Sequence, residues 1–275
     1  MRAERRSAQQ WLSHLAQVQR AGRAAWHEVR APDRNVRRWI LVWDLPTRLF
    51  KWLLVLSVAI AFLASSMHPR GLLFVTHIAA GYAVVLLLLF RLAWGFAGGS
   101  EARFSAFIRG PAAVREHAEA LLRLQPEETS GHNPLGGWVI LLMLATLGLI
   151  VVTGLLTEGV TGGAGVLSAL LPSNLIGPIG WLHGTLGFAI IWLAGFHVAG
   201  VLVESLLLRE NLIRAMITGR KRVRSPALTD ARPTPSWRAL LLLFLLGLLG
   251  AWMIAHTRLP AHSPLNDLRV GLAYR

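Results

Sequence analysis

The chain has 275 residues, of which 54% are hydrophobic, and its mean hydropathy is +0.50. Soluble domains rarely have this composition, and the apolar residues form runs that are long enough to span a bilayer. There is no cysteine, which excludes disulfides, iron–sulfur clusters and thiolate ligands. A net charge of +14 is common in nucleic-acid-binding proteins, but the placement of the charges, described below, argues against that function.

Residues 1–42 are predicted to be a basic N-terminal extension. They lack the apolar core of a signal peptide, so we expect no cleavage. Apolar residues share one helical stripe, with the arginines and histidines largely off it. The stripe consists of Trp11, Leu15, Val18, Gly22, Trp26 and Val29. The pattern predicts either a basic amphipathic helix on the cytoplasmic membrane surface or on a partner, or a loosely ordered tail.

Five apolar runs are predicted to cross the membrane, which defines an all-α membrane protein. They cover about 50–67, 72–95, 137–156, 179–207 and 237–256. Between the second and third runs, a polar segment holds a short amphipathic helix that starts at Pro111 and ends near Leu124. Residues 157–179 are expected at the membrane interface, 223–236 form a linker, and 257–275 form a tail.

The basic residues predict the orientation of these spans. All but four of the 28 lysines and arginines lie in the N-terminal region, in residues 91–136 or in residues 208–238. The exceptions are Arg70, Arg258, Arg269 and Arg275. The positive-inside rule then predicts a bacterial inner-membrane protein with a cytoplasmic N-terminus and a periplasmic C-terminus. The excess charge is therefore a topology signal, and no nucleic-acid partner is expected.

The fourth span carries two histidines, His183 and His197, that are 14 residues apart. On a helix this spacing is about 21 Å along the axis and within roughly 40° of the same face. An ionisable side chain within a membrane span is by default a functional-site hypothesis. Two stacked imidazoles suggest two stacked cofactors, and glycines at 184, 187, 195 and 200 leave room for a flat group. The alternative is two histidines bonded to neighbouring helices.

The topology places a third histidine at the depth of His183. The second and fourth spans both enter from the outside, so His77 and His183 are expected to face each other and to bind one iron axially. Arg91 follows His77 by 14 residues and is expected near His197 in depth. Its guanidinium would pair with a haem propionate or snorkel to the helix end.

The other histidines are weaker candidates. His132 precedes the third span and would cap a helix or form a turn, bind a propionate or quinone, or ligate iron. Three histidines in polar segments are expected to be solvated, and three at the outer face are expected at the surface. The first group is His14, His27 and His117, and the second is His68, His256 and His262.

Several stretches together resemble the bacterial cytochrome b561 family, in the branch that includes the cytochrome b subunits of nickel–iron hydrogenases. Besides His77 and the two histidines of the fourth span, they are Trp-Asp-Leu-Pro-Thr-Arg-Leu-Phe (43–50), Gly-Tyr (81–82), Leu-Leu-Leu-Phe-Arg-Leu-Ala-Trp-Gly (87–95), Arg-Phe-Ser-Ala-Phe-Ile-Arg-Gly-Pro (103–111), Gly-His-Asn-Pro (131–134) and the basic stretch 209–222. The resemblance covers residues 43–222. It implies a four-helix transmembrane bundle with two b-type haems, to which the fifth helix at 237–256 is an addition. It also implies electron transfer between the quinone pool and a periplasmic cytochrome c or hydrogenase-like subunit.

The chain departs from the family at Lys51. The family has a histidine there, directly after Arg-x-Phe, which ligates the cytoplasmic-side haem. A lysine must be neutral to ligate iron, and we expect it instead to snorkel to water near Arg48. The site would then hold a haem bound mainly through His197, with His132 as a possible recruit, or no haem. One or two haems b per chain are therefore expected, with quinone and membrane lipid as further partners.

Two alternatives to electron transfer stay open. The chain can be a membrane anchor or scaffold subunit of a larger redox complex with one haem or none, which Lys51 favours. It can also be a histidine-lined transporter of metal ions or protons. The near absence of carboxylates within the spans argues against transport, since Glu204 is the only one.

Overall fold

The computed structural model describes residues 37–67, 72–157, 172–232 and 234–256, together with positions 17, 19, 167 and 170. The predicted amphipathic stripe of the N-terminal extension, the tail 257–275 and most of the predicted interface segment 157–179 lie outside the described residues. So do His14, His27, His68 and His262.

Five long helices in the described part of the chain are long and apolar enough to cross a membrane. They are α1 (Leu45–Ser66), α2 (Leu72–Ala97), α5 (Pro134–Leu156), α6 (Ser173–Leu208) and α8 (Ser236–His256). The chain is therefore a multi-pass, all-α membrane protein, as predicted. The largest difference from the predicted bounds is at α6, which begins six residues earlier and has 36 residues, with Pro178 inside its second turn.

Short elements fill the remaining segments. They are a 3₁₀ turn at Ser100–Ala102, α3 (Phe104–Phe107), α4 (Pro111–Leu122), α7 (Leu212–Thr218) and two strands, β1 (Arg38–Leu41) and β2 (Arg220–Val223). Helix α4 is the predicted amphipathic helix. Proline occupies its first position, where the missing N–H costs no hydrogen bond.

Local side chains fix where two of the spans begin. The Asp44 carboxylate accepts a hydrogen bond from the Thr47 N–H at 2.9 Å and caps α1. The Asn133 side-chain oxygen accepts from the Gly136 N–H at 2.6 Å and caps α5. A side-chain acceptor at this position satisfies one of the free N–H groups of the first helical turn.

The spans pack as two hairpins, α1 with α2 and α5 with α6. The hairpins meet through α2 and α5, where Val84 and Leu88 contact Leu144 and Leu147 in a cluster that also includes Ile190 of α6. Helix α8 packs on α2 at the outside of this bundle. Most large side chains of α6 stay exposed, as expected for a helix that faces lipid.

The two strands form a small antiparallel sheet that the sequence did not predict. Arg38 pairs with Val223 and Leu41 with Arg220, so the residues before α1 are joined to those after α7. The predicted linker 223–236 continues from this sheet and packs on the polar segment. The N–H groups of Arg224 and Ser225 donate to the Glu128 carboxylate at 2.8 and 3.2 Å.

One histidine of the polar segment does not behave as predicted. His117 lies in α4 and is buried, with 7% of its surface exposed, rather than solvated. It lies on the face of the amphipathic helix that packs inward. His256, at the end of α8, is exposed as predicted.

The close approach of α3 to a glycine on α5 can be tested by substitution. A Cβ atom at Gly137 would lie 2.5 Å from the Phe107 carbonyl oxygen, so α3 can approach only a glycine there. We expect Gly137→Ala to destabilise the protein by about 1–3 kcal/mol through overpacking. Gly148→Ala, on the same helix with nothing within 4 Å of the added Cβ, is the control and is expected to be neutral or stabilising by up to about 1 kcal/mol.

Thermal unfolding of the detergent-purified protein measures both effects. Equal midpoints for the two variants would contradict the close approach of α3 to α5.

Candidate functional site

The imidazoles of His77 on α2 and His183 on α6 face each other. Their ring centroids are 6.0 Å apart and the ring planes are 87° from parallel. Both side chains are half-buried. The structure therefore brings together the two histidines that the topology argument paired.

Backbone carbonyls orient both rings. His77 Nδ1 lies 2.8 Å from the Ala61 carbonyl oxygen, and His183 Nδ1 lies 3.0 Å from that of Ile150. Because a carbonyl only accepts, each Nδ1 is the protonated nitrogen that donates. Each Nε2 then keeps a free lone pair, which is the tautomer a metal ligand requires.

A glycine and a threonine on α5 position the His183 ring. A Cβ atom at Gly154 would lie 2.8 Å from the ring, so the imidazole packs where a side chain is missing. The Thr153 hydroxyl lies 3.1 Å from His183 Nδ1. These contacts hold the ring against α5 and limit its rotation.

The pair fits a metal that arrives with its own equatorial ligands. The 6.0 Å between the ring centroids is close to the separation of two imidazoles that bind one metal ion through bonds of about 2.0–2.1 Å. The described residues contain no group of three or more metal-ligating side chains, so these histidines do not belong to a larger protein-only metal site. Gly81 and Gly187, one turn after each histidine, have open space where a Cβ atom would be. With this open space beside them, His77 and His183 would hold the iron of a haem.

A cavity of about 170 Å³ lies between the first turns of α5 and the last turns of α6, beside α7. Its polar lining includes His132, Asn133, His197, Glu204 and Lys221. Sites for drug-sized ligands have volumes of about 300–1,000 Å³. With its side chains as they stand, this cavity does not fit a haem.

Lys51 does not snorkel into water. Its Nζ lies 3.6 Å from the centroid of the Trp43 ring, which is buried, and 2.9 Å from the Met216 sulfur. The cation therefore points into the protein, where the aromatic face stabilises it. The prediction of a solvated amine at position 51 is wrong because Trp43 and α7 provide an alternative to water.

Arg91 is buried, so it does not snorkel either. It donates to the Ala102 carbonyl at 2.9 Å, and its guanidinium lies 4.8 Å from the Phe104 ring centroid. Neither Arg91 nor Lys51 lines the cavity that contains His197. In the described structure Arg91 holds the 98–107 segment against α2.

His132 packs between aromatic rings rather than capping a helix. Its ring centroid lies 4.6 Å from that of Trp43 and 5.3 Å from that of Phe107. Asn133 provides the cap instead. Burial, and then the charges of Lys51 and Arg91, lower the pKa of His132 well below its usual range. The ring is therefore neutral at pH 7, and its buried Nδ1 has no hydrogen-bond partner within the described structure.

The sequence analysis missed a polar contact that closes one side of the cavity. The Asn133 amide donates to the carboxylate of Glu204, which is buried on α6. Lys221, buried on β2, donates to the Thr129 carbonyl at 2.6 Å. Burial lowers the pKa of Lys221, and Glu204 is the largest of the opposing influences. The sequence does show Glu204 as a single carboxylate in an apolar span. It does not show the partner of Glu204, because Asn133 lies 71 residues away.

The fold and the paired histidines define a class, the multi-pass membrane proteins with imidazoles that face each other between spans. Residues 42–219 match the family of prokaryotic cytochrome b561. The match covers more than half of the chain, which therefore belongs to this family. The family consists of membrane b-type cytochromes of electron transfer and binds haem b. No curated protein and no solved structure matches the chain.

Asn133 and Glu204 can be tested as a pair. Asn133→Asp keeps the oxygen that caps α5 but replaces the donor with a second carboxylate facing Glu204. We expect a loss of about 1–3 kcal/mol in stability near pH 7, because a hydrogen bond to a charged group becomes a repulsion. In the background of Glu204→Gln, whose amide can donate to the new carboxylate, the same change should cost much less.

Thermal unfolding of the four proteins in this cycle gives the coupling between the two positions. Additive effects would show that the Asn133–Glu204 contact does not contribute to stability.

Proposed function

We propose that the chain transfers electrons across the bacterial inner membrane between a periplasmic redox partner and the quinone pool. The observation that carries the proposal is the His77–His183 pair, with centroids 6.0 Å apart and each Nδ1 directed at a backbone carbonyl. Two such imidazoles would hold one haem b, whose iron supplies a reversible one-electron couple. The two histidine side chains would each hold a neutral Nε2 in position for the iron.

The fixed rings suit this task. An electron carrier gains from a site that changes little between its two charge states. The carbonyl of Ala61 and the hydroxyl and carbonyl next to His183 restrain both imidazoles before any cofactor binds. Half-burial among apolar helices limits water around the rings, which is one way a protein tunes a redox potential.

The proposed orientation has the N-terminus in the cytoplasm and the C-terminus in the periplasm. The distribution of lysine and arginine supports it, because the clusters at 209–224 and 103–123 belong to the same side of the five-span topology. The His77–His183 pair then lies toward the periplasm, where a cytochrome c or hydrogenase-like subunit would exchange electrons with it.

The cavity at the cytoplasmic ends of α5 and α6 is the proposed meeting point with quinone. It offers a neutral imidazole, a carboxylate and an ammonium group within one lining, from His132, Glu204 and Lys221. Quinone reduction consumes protons as well as electrons. These groups can form hydrogen bonds with a quinone or exchange protons with it.

The paired imidazoles make a direct spectroscopic prediction. His77→Ala and His183→Ala should each abolish the low-spin absorbance of one haem, because one axial ligand is lost. His256→Ala is the control, since this imidazole is exposed at the end of α8 and, within the described residues, bonds to the Trp252 carbonyl of its own helix. Optical spectra and haem content per chain are measured on the purified proteins. Unchanged spectra in both single variants would contradict the proposal.

A second candidate is a membrane anchor or scaffold subunit of a redox complex that carries a single haem. Lys51 favours it, because an ammonium held by Trp43 and Met216 stands where the family has an iron ligand. The size of the cavity beside His197 supports the same conclusion. On this second candidate the chain would carry one haem, between His77 and His183, and no electron would pass through a haem at the end that contains His197.

Substitution of Lys51 tests the haem number. On the second candidate the native chain should contain one haem in a pyridine haemochrome assay, whereas electron transfer through two haems predicts two. Lys51→His should raise the haem content and add low-spin absorbance, because it removes the buried ammonium and supplies a second imidazole opposite His197. Lys51→Gln removes the same charge without a ligand and should stay at one haem. If Lys51→His changes neither haem content nor spin state, our interpretation of position 51 is wrong.

A further inference from the structure

The exposed face of the small sheet carries a tryptophan flanked by two arginines. The guanidinium carbons of Arg214 and Arg222 lie 5.0 and 4.8 Å from the centroid of the Trp39 ring. All three side chains are exposed. This cluster, Trp39–Arg214–Arg222, lies outside the histidine pair and the cavity described above.

The strand register explains why these residues meet. Trp39 pairs with Arg222 and Leu41 with Arg220, so these four side chains share one face of the sheet. Lys221 and Val223 alternate to the other face and are buried. Arg220 therefore extends the cluster along β2, and Arg214 reaches it from α7.

The cations of the cluster have no carboxylate partner within the described structure. Carboxylate partners do occur for other arginines, since Arg115 and Arg123 pair with Glu119 and the half-buried Arg37 pairs with Glu210. The Glu210 carboxylate also accepts from the backbone N–H of Arg222, not from its guanidinium. Two guanidiniums on one indole repel each other, so an anion between them would stabilise the arrangement.

Contacts between α7 and α1 put the cluster beside the start of a candidate membrane span. Helix α7 is fastened to the first two turns of α1, where Arg48 donates to the Ile217 carbonyl at 2.6 Å and Trp52 approaches that of Met216 at 3.4 Å. Two large apolar side chains of α7, Ile213 and Ile217, are exposed beside Arg214. An arginine–tryptophan cluster next to exposed isoleucines, at the start of a membrane span, matches the layering of a bilayer from headgroup to acyl chain.

We propose that the Trp39–Arg214–Arg222 cluster, with Arg220, binds the headgroup phosphate of an anionic phospholipid. Arg214 and Arg222 would form charge-assisted hydrogen bonds with the phosphate oxygens, and Trp39 would pack against the headgroup. The acyl chains would lie along Ile213, Ile217 and the lipid-facing side of α1. A bound lipid would join the strand before α1 to α7, the two segments that close the cytoplasmic end.

The test titrates the full-length purified protein with phosphatidylglycerol, phosphatidylcholine or water-soluble glycerol phosphate and measures bound lipid by native mass spectrometry. Phosphatidylglycerol should bind more tightly than phosphatidylcholine, and binding should weaken as salt increases. Arg214→Gln/Arg222→Gln should weaken phosphatidylglycerol binding roughly twentyfold, since each arginine near an anionic surface contributes about fivefold.

Arg115→Gln/Arg123→Gln is the matched control, with the same loss of charge on the same side of the protein and an expected change below about twofold. If the double variant fails to fold, Arg222→Gln alone should weaken binding about fivefold. Equal loss in both double variants would show a diffuse charge effect and overturn the site. Equal binding of the two lipids, or full competition by glycerol phosphate at the lipid's own concentration, would also overturn it. Haem content is measured in every variant and should not change, which separates this proposal from the proposed function.

Discussion

The structure depends on one constraint, that a polar group between membrane helices must find its partner within the protein. His77 and His183 satisfy this constraint because each Nδ1 donates to a carbonyl oxygen within a helix, that of Ala61 or of Ile150. Each carbonyl therefore accepts this hydrogen bond in addition to the one within its helix. The hydrogen bond to this carbonyl fixes the tautomer, with the proton on Nδ1. Nε2 lies on the other side of the ring and points away from that carbonyl. The hydrogen bonds that make the imidazoles tolerable in the membrane are thus the same ones that make them competent ligands.

The same constraint organises the end of the bundle that contains His197 with different chemistry. Lys51, Arg91 and Glu204 are each held by an aromatic face, a backbone carbonyl or an amide instead of by water. These contacts tie α7 and the polar segment to the starts of the spans. Trp43 and His132 pack against each other at this end, with ring centroids 4.6 Å apart. The two ends of one bundle therefore suit different roles, a symmetric imidazole pair at one end and a small polar cavity at the other.

The spans could be predicted because they are long apolar runs. The histidine pair could be predicted because the topology gives both residues the same depth in the membrane. Apolar runs of about 20 residues identify membrane helices, and topology alone puts His77 and His183 at one level. The small sheet could not be predicted, since its strands have four residues each and are separated by most of the chain. Nor could the positions of Lys51 and Arg91, because the sequence does not reveal that Trp43, Phe104 and Phe107 surround them. Burial of His117 depends in the same way on which face of α4 packs inward.

The central claim is that His77 and His183 form one axial ligand pair whose rings are almost perpendicular. Low-temperature electron paramagnetic resonance of the oxidised, haem-loaded protein tests it most directly, because the signal of a low-spin ferric haem depends on the angle between its axial imidazole planes. Near-perpendicular planes predict a highly anisotropic low-spin signal, which His183→Ala should replace with a high-spin one. A native protein that contains haem but gives only a high-spin signal would contradict the account.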